Sequence, residues 1–527
     1  MNSPVEPSAE AEVAIVGQGP VGATLANLLG ARGISVIAVD KDRLVHDKPR
    51  AITLDHEAMR TFQNVGLSEQ IAPHIVPFLR SVYLGLEGRV IKQLVTKPAP
   101  FALGWCPNYL FSQPAVDQIL RDGAAARADV RVWLGSEAVG TAEEADRVRL
   151  DVSGDDGSTR QIFATYVVAC DGGSSPMRRR LGIGFDDLEF DEPWLVVDAL
   201  VDAAHLPALP QTNVQYCEPE RPCTHVIGPG NHRRWEIMML PGEDPLEMQS
   251  EANIWRLLAR WITPANARLW RATSYRFHAL VAREWQRGRI LLAGDAAHMT
   301  PPFLGQGMCQ GFRDAANLAW KLEMVLRRGG SAERLFASYG EERAPHVRAT
   351  TEVAKGLGRI ICELDPAKAA ARDAAMLAGG DGREEIRQNL IPGLVGGVLS
   401  RQAGPATGSI FPQPKVRSGQ GETLLDNLTG NGFRLVARDA GVLPSADDRR
   451  VTAFGMTLAA LGLSKADGVL LIDECNGALA QWFNEHDCSA ALVRPDHYVF
   501  GTARTKAETA ALLDELHEMT FAERRVQ

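Results

Sequence analysis

The sequence has no long hydrophobic run, no closely spaced cysteine pair and no excess of positive charge. None of its apolar stretches approaches the roughly 20 residues that a membrane-spanning helix needs. Its eight cysteines form neither a CxxC motif nor zinc-ligand spacing, so we expect reduced thiols and predict no metal site. Acidic residues outnumber basic ones by 65 to 56, and no basic stripe offsets the net charge of −9, which argues against nucleic acid as a partner.

The N-terminus also lacks a recognisable targeting signal. Residues 1–12, MNSPVEPSAEAE, are polar and acidic, unlike a secretory signal peptide. We therefore expect a cytoplasmic protein without membrane association. The length of 527 residues is enough for two or three domains.

A glycine-rich turn joins a strand to a helix near the start of the chain. The apolar run Glu12–Gly17 leads into the sequence GQGPVG, and a second apolar strand, Ile34–Val39, ends in Asp40. The motif glycines are Gly17, Gly19 and Gly22. Such glycines let a pyrophosphate approach the start of the helix, and an acid after the second strand can bind a ribose hydroxyl. The pattern predicts a dinucleotide-binding βαβ unit.

Two further segments run from an apolar strand into glycine and an acid. Tyr166–Arg178 reads YVVACDGGSSPMR, and Arg289–Leu322 begins RILLAGDAAHMTPPFLGQGM before a long amphipathic helix. Tight turns of this kind let backbone N–H groups come close to a ligand. Both segments therefore predict polar ligand contacts at strand ends.

In this order, the three motifs resemble the fingerprints of the group A flavin-dependent aromatic monooxygenases. The late motif is most similar to that of the 3-(3-hydroxyphenyl)propionate hydroxylases and related polyketide hydroxylases, so a polyketide substrate stays an alternative. The resemblance covers most of residues 12–350 and extends more loosely to the C-terminus. It implies an α/β fold with a Rossmann-like FAD-binding domain of the p-hydroxybenzoate hydroxylase type, an inserted antiparallel substrate sheet and a thioredoxin-like C-terminal domain.

Strand, helix and turn patterns divide the chain in agreement with that fold. We predict a discontinuous FAD-binding domain, two substrate-sheet segments, a linking or wrapping segment and a C-terminal domain. The FAD-binding parts are 1–75, 105–190 and 285–365, the substrate parts are 76–104 and 191–284, the linking segment is 366–408, and the C-terminal domain is 409–527. Cys475 and Cys488 do not form a CxxC motif, so we expect this last domain to be structural and not redox-active.

The resemblance also implies a set of FAD-binding residues. The glycine-rich turn would bind the pyrophosphate, Asp40 the adenosine ribose, and Asp295 the ribityl chain. The Pro302–Met308 turn would wrap the isoalloxazine, and the Asp171 motif would serve both FAD and the nicotinamide cofactor. The full set is Gly17, Gly19, Gly22, Asp40, Lys41, Arg50, Gln113, Arg121, Asp171, Arg178, Gly294, Asp295, Pro302, Gly305, Gln306, Gly307 and Met308.

The chemistry implied by the resemblance belongs to the flavin. NADH or NADPH reduces FAD, O2 forms a flavin C4a-hydroperoxide, and an OH group passes to an activated aromatic ring. No second GxGxxG unit is present for the nicotinamide, so the choice between NADH and NADPH stays open.

A base that partly deprotonates a substrate phenol would raise the electron density of its ring. The candidates are His298 in the late motif and Tyr216, His225 and His278 on the inserted sheet. Strand alternation on Thr212–Glu218 puts the side chains of Tyr216 and Gln215 on different faces of the sheet, and it leaves open which face meets the pocket.

The sequence leaves the charge of the substrate open. An acidic side chain on the substrate is implied by the resemblance and would favour an arginine in the pocket. Arg221, Arg233 and Arg234 are available, and neutral phenols remain open. A homodimer is expected by analogy only.

Other functions fit the sequence less well. A flavin-dependent halogenase would need a WxWxIP segment, which is absent, and an NAD-dependent dehydrogenase would not explain the Asp171 and Asp295 motifs. A non-catalytic flavin-binding module would bind FAD without substrate-stimulated NAD(P)H oxidation. An epoxidase or N-hydroxylase with the same flavin chemistry stays a serious alternative, because substrate identity is determined by the inserted sheet.

Overall fold

The computed structural model describes residues 8–378, 380, 382–402, 404–419, 421–462 and 467–521. Of the N-terminal stretch analysed for a targeting signal, residues 1–7 lie outside this range. Within the described ranges, no helix combines the length and apolar composition needed to cross a membrane.

The first third of the chain alternates strands and helices. In chain order these are β1 (Ala9–Val16), α1 (Pro20–Gly30), β2 (Val36–Asp40), β3 (Thr53–Asp55), α2 (His56–Asn64), α3 (Ser68–Ile71), β4 (Ile75–Pro77), β5 (Arg80–Leu84), β6 (Val90–Val95), β7 (Asn108–Phe111), α4 (Gln113–Ala125), β8 (Val130–Leu134), β9 (Ser136–Glu143), β10 (Val148–Gly154), β11 (Thr159–Ala169) and α5 (Pro176–Arg180).

The middle of the chain is mostly strands. They are β12 (Phe185–Val201), β13 (Asn213–Tyr216), β14 (Cys223–Ile227), β15 (His232–Met238), β16 (Ala267–Ala282), β17 (Gln286–Arg287), β18 (Ile290–Leu292) and β19 (His298–Met299), with helices α6 (Pro245–Met248) and α7 (Glu251–Leu258).

The last part begins with two long helices. Its elements are α8 (Gly307–Arg328), α9 (Ala332–Ile361), α10 (Pro366–Leu377), β20 (Arg383–Ile386), β21 (Lys415–Ser418), β22 (Gly421–Leu424), α11 (Leu425–Thr429), β23 (Arg434–Ala437), α12 (Arg449–Phe454), β24 (Thr457–Leu461), β25 (Leu470–Glu474), α13 (Ala478–Glu485), β26 (Ala490–Val493), β27 (Val499–Ala503) and α14 (Lys506–Thr520).

A mainly parallel sheet forms the FAD-binding part. Its order is β17-β18-β11-β1-β2-β8, and β18, β11, β1, β2 and β8 run parallel. The carboxyl half of β1, Val13–Val16, is buried on both faces, as expected for the near-continuous apolar sequence of a central parallel strand. Helix α1 packs against both α4 and α8. The predicted βαβ unit therefore exists, with β1 beginning and β2 ending within a few residues of the predicted limits.

A nine-stranded sheet forms the substrate part, in the order β19-β16-β12-β15-β14-β13-β5-β6-β20. Strand β5 pairs with the inserted strand β13, and β6 pairs with β5, so the two predicted substrate segments share this sheet. Strands β12 and β16 are long and pair along most of their length, although sequence alternation indicated neither of them. The predicted linking segment 366–408 contains α10 and β20, and β20 extends the sheet by pairing with β6.

The C-terminal part has the thioredoxin topology. Strands β23 and β24 are parallel around α12, β26 and β27 form an antiparallel pair after α13, and α14 ends the unit. The strand order β27-β26-β23-β24 matches the predicted thioredoxin-like arrangement. Arg494, buried between strands β26 and β27, donates to Glu342 Oε2 on α9 at 2.7 Å and thereby joins this part to the FAD-binding helices.

Candidate active site

The carboxyl ends of four neighbouring parallel strands bring the three sequence motifs together. Four residues adjacent in register on β2, β1, β11 and β18 are Val39, Val16, Ala169 and Leu292. The turns that carry Asp40, Gly17, Asp171 and Asp295 follow directly, so all of them lie along one edge of the sheet. Neighbouring strands lie about 4.8 Å apart, which makes this edge about 15 Å long. Open α/β sheets bind their ligands at this edge.

The glycine-rich turn has two glycines that pack tightly and one that faces open space. A Cβ at Gly17, whose φ is +100°, would lie 2.4 Å from the Cys170 carbonyl oxygen, and a Cβ at Gly22 would lie 1.9 Å from the Gly17 oxygen. Around Gly19, by contrast, no described atom lies within 4 Å of the Cβ position. This opening lies at the N-terminus of α1, where free N–H groups and the helix dipole favour a phosphate.

Asp40 is held at the end of β2 by the turn itself. Its Oδ2 accepts hydrogen bonds from Gln18 N at 2.6 Å and from Arg121 Nη2 at 3.2 Å. Arg121 Nε also donates to the Gln18 carbonyl oxygen at 2.7 Å. Arg121 therefore holds the glycine-rich turn in place through Gln18 and Asp40. Lys41, the residue after Asp40, is exposed.

Gln113, the first residue of α4, orders the segment that carries Arg50. Its Oε1 accepts from Arg50 N at 2.8 Å and from Ala51 N at 2.6 Å, and its Nε2 donates to Asp117 at 3.1 Å. Burial raises the pKa of Asp117 to about 6. The Arg50 side chain stays exposed, so Gln113 acts on the backbone and leaves the guanidinium available to a ligand.

Asp295 lies in a recess at the end of β18. Its side chain is exposed to solvent, yet the surrounding protein limits its hydration and raises the pKa of its carboxyl. The preceding residue, Gly294, donates its N–H to Asp314 Oδ2 at 3.0 Å. The turn is thus anchored from inside the protein while the Asp295 carboxyl faces the cleft.

His298 lies behind this turn and not in the cleft. It is fully buried, its Nε2 lies 2.7 Å from Asp314 Oδ2, and its ring stacks on Trp285 at a centroid distance of 5.5 Å. Asp314 also accepts from Arg343 Nε at 2.8 Å. Burial opposes ionisation of Asp314, but His298 and Arg343 outweigh it and lower the pKa of this carboxyl. This geometry favours a positioning role for His298 over the predicted role as a base.

The Pro302–Met308 turn is fixed by a second buried network. A Cβ at Gly305 would lie 2.3 Å from Thr53 Oγ1, and the glycine has a φ of +64°. Gln306 Oε1 accepts from Arg313 Nη1 at 2.9 Å. Arg313 Nη2 lies 2.6 Å from Asp55 and 2.7 Å from Glu57. The residues left partly exposed along the turn are Pro302, Gly305, Gly307 and Met308.

The Asp171 motif is tied to the Asp295 turn. Asp171 Oδ2 accepts from Met177 N at 3.0 Å. Arg178 Nη1 donates to the carbonyl oxygens of Gly173 at 3.1 Å and Ala296 at 3.3 Å, and its guanidinium lies 3.7 Å from the centre of the Phe185 ring. Arg178 therefore bridges the two motifs through protein contacts.

The substrate sheet has two distinct faces. The outer face carries Val197, Trp235 and Ile237 and packs on α7. The opposite face, which we call the site face, carries Trp194 on β12. Trp194 lies 5.5 Å from Phe303 of the Pro302–Met308 turn, measured between ring centroids. Only the site face therefore meets the cofactor turns.

Tyr216 and His225 both belong to the outer face. Tyr216 Oη accepts from Trp261 Nε1 at 3.1 Å. The His225 ring lies 5.2 Å from that of Trp235, and among the described residues neither of its nitrogens has a hydrogen-bond partner. Burial lowers the pKa of His225 to about 3. The structure does not bring either residue together with His298 or with the cofactor turns.

Glu236 is the titratable residue at the middle of the site face. It lies opposite Thr224 on β14 and Val196 on β12. Only 9% of the residue is exposed, and burial raises the pKa of its carboxyl, with Arg234 opposing the shift in part. Thr224 Oγ1 donates to Gln215 Oε1 at 2.5 Å beside it. The sequence signal for Glu236 is a charged residue within the alternating segment WEIM of β15.

Arg234 connects the site face to the Arg50 segment. Its Nε and Nη2 lie 2.7 and 3.1 Å from Asp198, and its Nη1 and Nη2 donate to the carbonyl oxygens of Arg50 at 2.8 Å and Pro49 at 2.6 Å. Arg234 is thus neutralised by Asp198 and positions the substrate sheet against the cofactor segment.

These groups fit an FAD molecule. The open space at Gly19 can hold the pyrophosphate on the α1 N-terminus, and Asp40 lies at the position of a ribose-binding acid. Asp295 offers a carboxylate to a hydroxylated chain in the recess, and the partly exposed turn at the start of α8 can contact a planar ring through its backbone. Of the predicted cofactor residues, Gln113 and Arg121 support these turns, and Asp295 and Arg50 are exposed and available to a ligand.

Comparison with protein families and relatives agrees with this arrangement. Residues 10–354 match the family described as FAD binding domain, and residues 408–519 match the HcaD C-terminal domain. The chain is 37% identical over 511 residues to a probable NADH-specific resorcinol 4-hydroxylase of Rhodococcus jostii RHA1, covering 96% of this chain and 94% of that protein. It is 33% identical over 515 residues to a 3-(3-hydroxy-phenyl)propionate/3-hydroxycinnamic acid hydroxylase of Escherichia coli K12 / DH10B, covering 93% and 92%.

Solved structures share the fold at lower identity. The flavin-dependent monooxygenase PieE, in complex with FAD and substrate, superposes with a TM-score of 0.78 at 19% identity over 98% of this chain and 99% of that one. Aklavinone-11 hydroxylase, with FAD and aklavinone, gives a TM-score of 0.77 at 20% identity over 97% and 99%. With the family match over most of the chain, these findings identify the protein as a member of the FAD-dependent aromatic monooxygenase family.

Proposed function

We propose that the protein uses NADH and O2 to hydroxylate a phenol, at the ring position ortho to the phenolic hydroxyl. The proposal rests on Glu236, a buried carboxyl on the face of the substrate sheet that meets the cofactor turns. The names of the two relatives above, a resorcinol hydroxylase and a 3-hydroxyphenylpropionate hydroxylase, support a substrate with a phenolic hydroxyl.

Glu236 has the properties of a base for a phenol. Among the described residues its nearest charged partner is Arg234, whose Nη1 lies 3.8 Å from Oε1, too far for a hydrogen bond. A phenolic O–H can therefore donate to this carboxylate. Withdrawal of the proton raises the electron density of the ring at the carbon that accepts oxygen, and a raised carboxyl pKa brings the base closer to working pH.

FAD, when bound, accepts hydride from NADH and activates O2 for transfer to the ring. The protein's own residues arrange the rest. Phe303 and Trp194 form an apolar wall that excludes water between the cofactor turn and the substrate sheet. Thr224 lies beside Glu236 on β14, Gln215 lies beyond Thr224 on β13, and both can orient the substrate hydroxyl.

The choice of NADH over NADPH is proposed by analogy with the Rhodococcus relative. A cytoplasmic location and a homodimer remain predictions.

The test is NADH consumption by FAD-loaded protein with and without 3-(3-hydroxyphenyl)propionate or resorcinol, while the hydroxylated product is measured. We expect stimulation by at least one of the two phenols, with product equal to the NADH consumed. The E236Q variant should still bind the phenol but lose most product formation. The control Q249A alters a residue between α6 and α7, away from the site face, and should form product at the unaltered rate. Absence of stimulation by any phenol would contradict the proposal.

The alternative acceptors, as in epoxidation or N-hydroxylation, have no acidic hydroxyl. For them Glu236 would have no proton to accept, and E236Q would leave turnover unchanged. The same variant therefore separates phenol hydroxylation from these reactions.

A further inference from the structure

Arg387 lies where the substrate sheet meets the cofactor turn. It follows β20, which pairs in parallel with β6, and β6 pairs with β5 beside Tyr83. Tyr83 lies opposite Gln215 in register, so it continues the site-face row formed by Gln215, Thr224 and Glu236. Arg387 and Tyr83 lie close enough to interact electrostatically. In register the row continues from Tyr83 through Lys92 to Arg383 on β20, and Arg387 lies four residues beyond Arg383, with its side chain near Tyr83.

The guanidinium of Arg387 is packed against the Pro302–Met308 turn. Its Nη2 donates to the Leu304 carbonyl oxygen. The same atom would lie 3.2 Å from a Cβ placed at Gly305. Only 8% of Arg387 is exposed. The charge is therefore buried beside the turn assigned to the flavin ring.

Most of its hydrogen-bonding capacity is unused. A guanidinium has five N–H donors, and among the described residues Arg387 contacts one acceptor, the Leu304 oxygen, while its Nε has no partner. No carboxylate of the described chain lies within 4 Å of it. Its ring contact, with Phe78, is long at 5.6 Å. A buried cation with so few partners is unfavourable unless an anion completes the site.

The three arginines that the sequence offered for a substrate carboxylate are already occupied. Arg221 forms a two-point ion pair with Glu243, and Arg234 is paired with Asp198. Arg233 donates to the carbonyl oxygens of Gly228, Gly230 and His232. Arg387 differs from Arg221 and Arg234 because, among the described residues, no carboxylate lies within 4 Å of it. It differs from Arg233 because it donates to one carbonyl oxygen and not three, and because Arg233 shares the outer face with Trp235.

We propose that Arg387 forms an anion subsite for the carboxylate of the substrate, so that the preferred phenols carry an acidic side chain. The inference rests on the proposed function and narrows its substrate class. With the carboxylate at Arg387 and the phenolic hydroxyl toward Glu236, the ring lies across the site face under the Pro302–Met308 turn. Neutral phenols can enter this site but leave Arg387 without its anion.

The test compares two ligands that differ only in charge. Dissociation constants of 3-(3-hydroxyphenyl)propionate and its neutral primary amide are measured from the change in flavin absorbance of the FAD-loaded protein without NADH. In the unaltered protein, the carboxylate should bind on the order of 100-fold more tightly than the amide. R387Q should abolish this preference, and R387K should retain part of it, because lysine keeps the charge but not the planar donor pair. R80Q, which alters an exposed arginine on β5, is the matched control.

Each outcome decides the question. Equal binding of acid and amide by the unaltered protein would overturn the subsite without any variant. So would an R387Q variant that weakens both ligands by the same factor. If Arg387 instead serves the negative charge of reduced flavin, R387Q would lower the flavin midpoint potential and leave the acid-to-amide ratio intact, which also contradicts the proposal. Hydroxylation of neutral phenols without discrimination would leave the proposed function standing, whereas loss of all phenol-stimulated turnover in the unaltered protein would refute that function itself.

Discussion

Asp314 accepts hydrogen bonds from Gly294 N and pairs with His298 Nε2, so one buried carboxylate joins the late histidine to the turn that presents Asp295. We expect H298A to lower FAD affinity about tenfold, since the turn loses one of its internal supports. H298Q, whose amide can still donate to Asp314, should restore much of it. FAD fluorescence titration measures both variants.

The same variants test the base hypothesis for His298. In FAD-saturated H298A, the ascending limb of the pH dependence of kcat/KM should keep its position. A limb that moves or disappears would restore His298 as the group that removes the phenolic proton.

Asp295 is the carboxylate that faces the recess, and its removal should weaken the cofactor directly. We expect D295A to lose 10- to 100-fold in FAD affinity, the value of one or two charge-assisted hydrogen bonds. D122A, which alters an exposed carboxylate on α4, serves as the control. Full flavin content after dialysis of D295A would contradict the assignment.

Replacing Glu236 should change both kcat and the stability of the folded protein. E236Q is expected to lower kcat for phenol hydroxylation about 100-fold or more, because the substrate proton has no acceptor. The effect on stability follows from the raised pKa of the folded state relative to the ordinary value of 4.5. As the pH rises from 4.5 through the raised pKa of Glu236, the folded protein loses stability, because its buried carboxyl must ionise.

The unfolding temperature of E236Q should therefore exceed that of the unaltered protein at pH 8, and the difference should vanish below pH 4.5. Thermal unfolding of both proteins across pH, followed by circular dichroism, measures this. A stabilisation that is the same at pH 4 and pH 8 would show that Glu236 does not titrate as the structure indicates.

Tyr216 belongs to the outer face and should not take part in turnover. Y216F loses the hydrogen bond from Trp261 Nε1, so we expect a loss of about 1 kcal/mol of stability and unchanged kcat. Urea unfolding and steady-state kinetics on the same preparation measure the two quantities. A large fall in kcat with the fold intact would place Tyr216 in the reaction.

Cys475 and Cys488 should have no redox role. All eight cysteines are free, and burial raises the pKa of Cys488 to about 11, which disfavours the reactive thiolate. The double variant C475S/C488S should turn over like the unaltered protein under both reducing and oxidising conditions. Loss of turnover in the folded double variant would show that the C-terminal part takes part in electron transfer.

The cofactor half of the site could be predicted from sequence because its determinants are local. A strand, a glycine turn and an acid such as Asp40 or Asp295 are adjacent in the chain, and parallel pairing then brings their strand ends together. The thioredoxin topology could also be predicted, since its strands and helices alternate in short regular units.

The substrate half of the site could not be predicted from sequence, because it depends on how strands that are distant in the chain pair and pack. Whether Tyr216 or Gln215 meets the cofactor depends on which face of the sheet α7 covers, and strand alternation alone cannot decide that. Arg387 could not be predicted for the same reason, because the pairing of β20 with β6 brings it to the site. The closeness of His298 to Asp295 in sequence predicts a place in the cleft, whereas its ring turns inward to Asp314.

The ion pair between Arg494 and Glu342 limits how this protein can be truncated or fused to another C-terminal domain. Burial opposes ionisation of Glu342, yet Arg494 and Lys321 lower the pKa of this carboxyl to about 2. A chain that ends before residue 409 would leave Glu342 on α9 without its arginine, and Lys321, whose Nζ lies 3.0 Å from Oε1, would be its remaining cation. The C-terminal part is therefore not an interchangeable module. A chimaera that replaces it must also bring an arginine to this position or supply a neutral residue at 342.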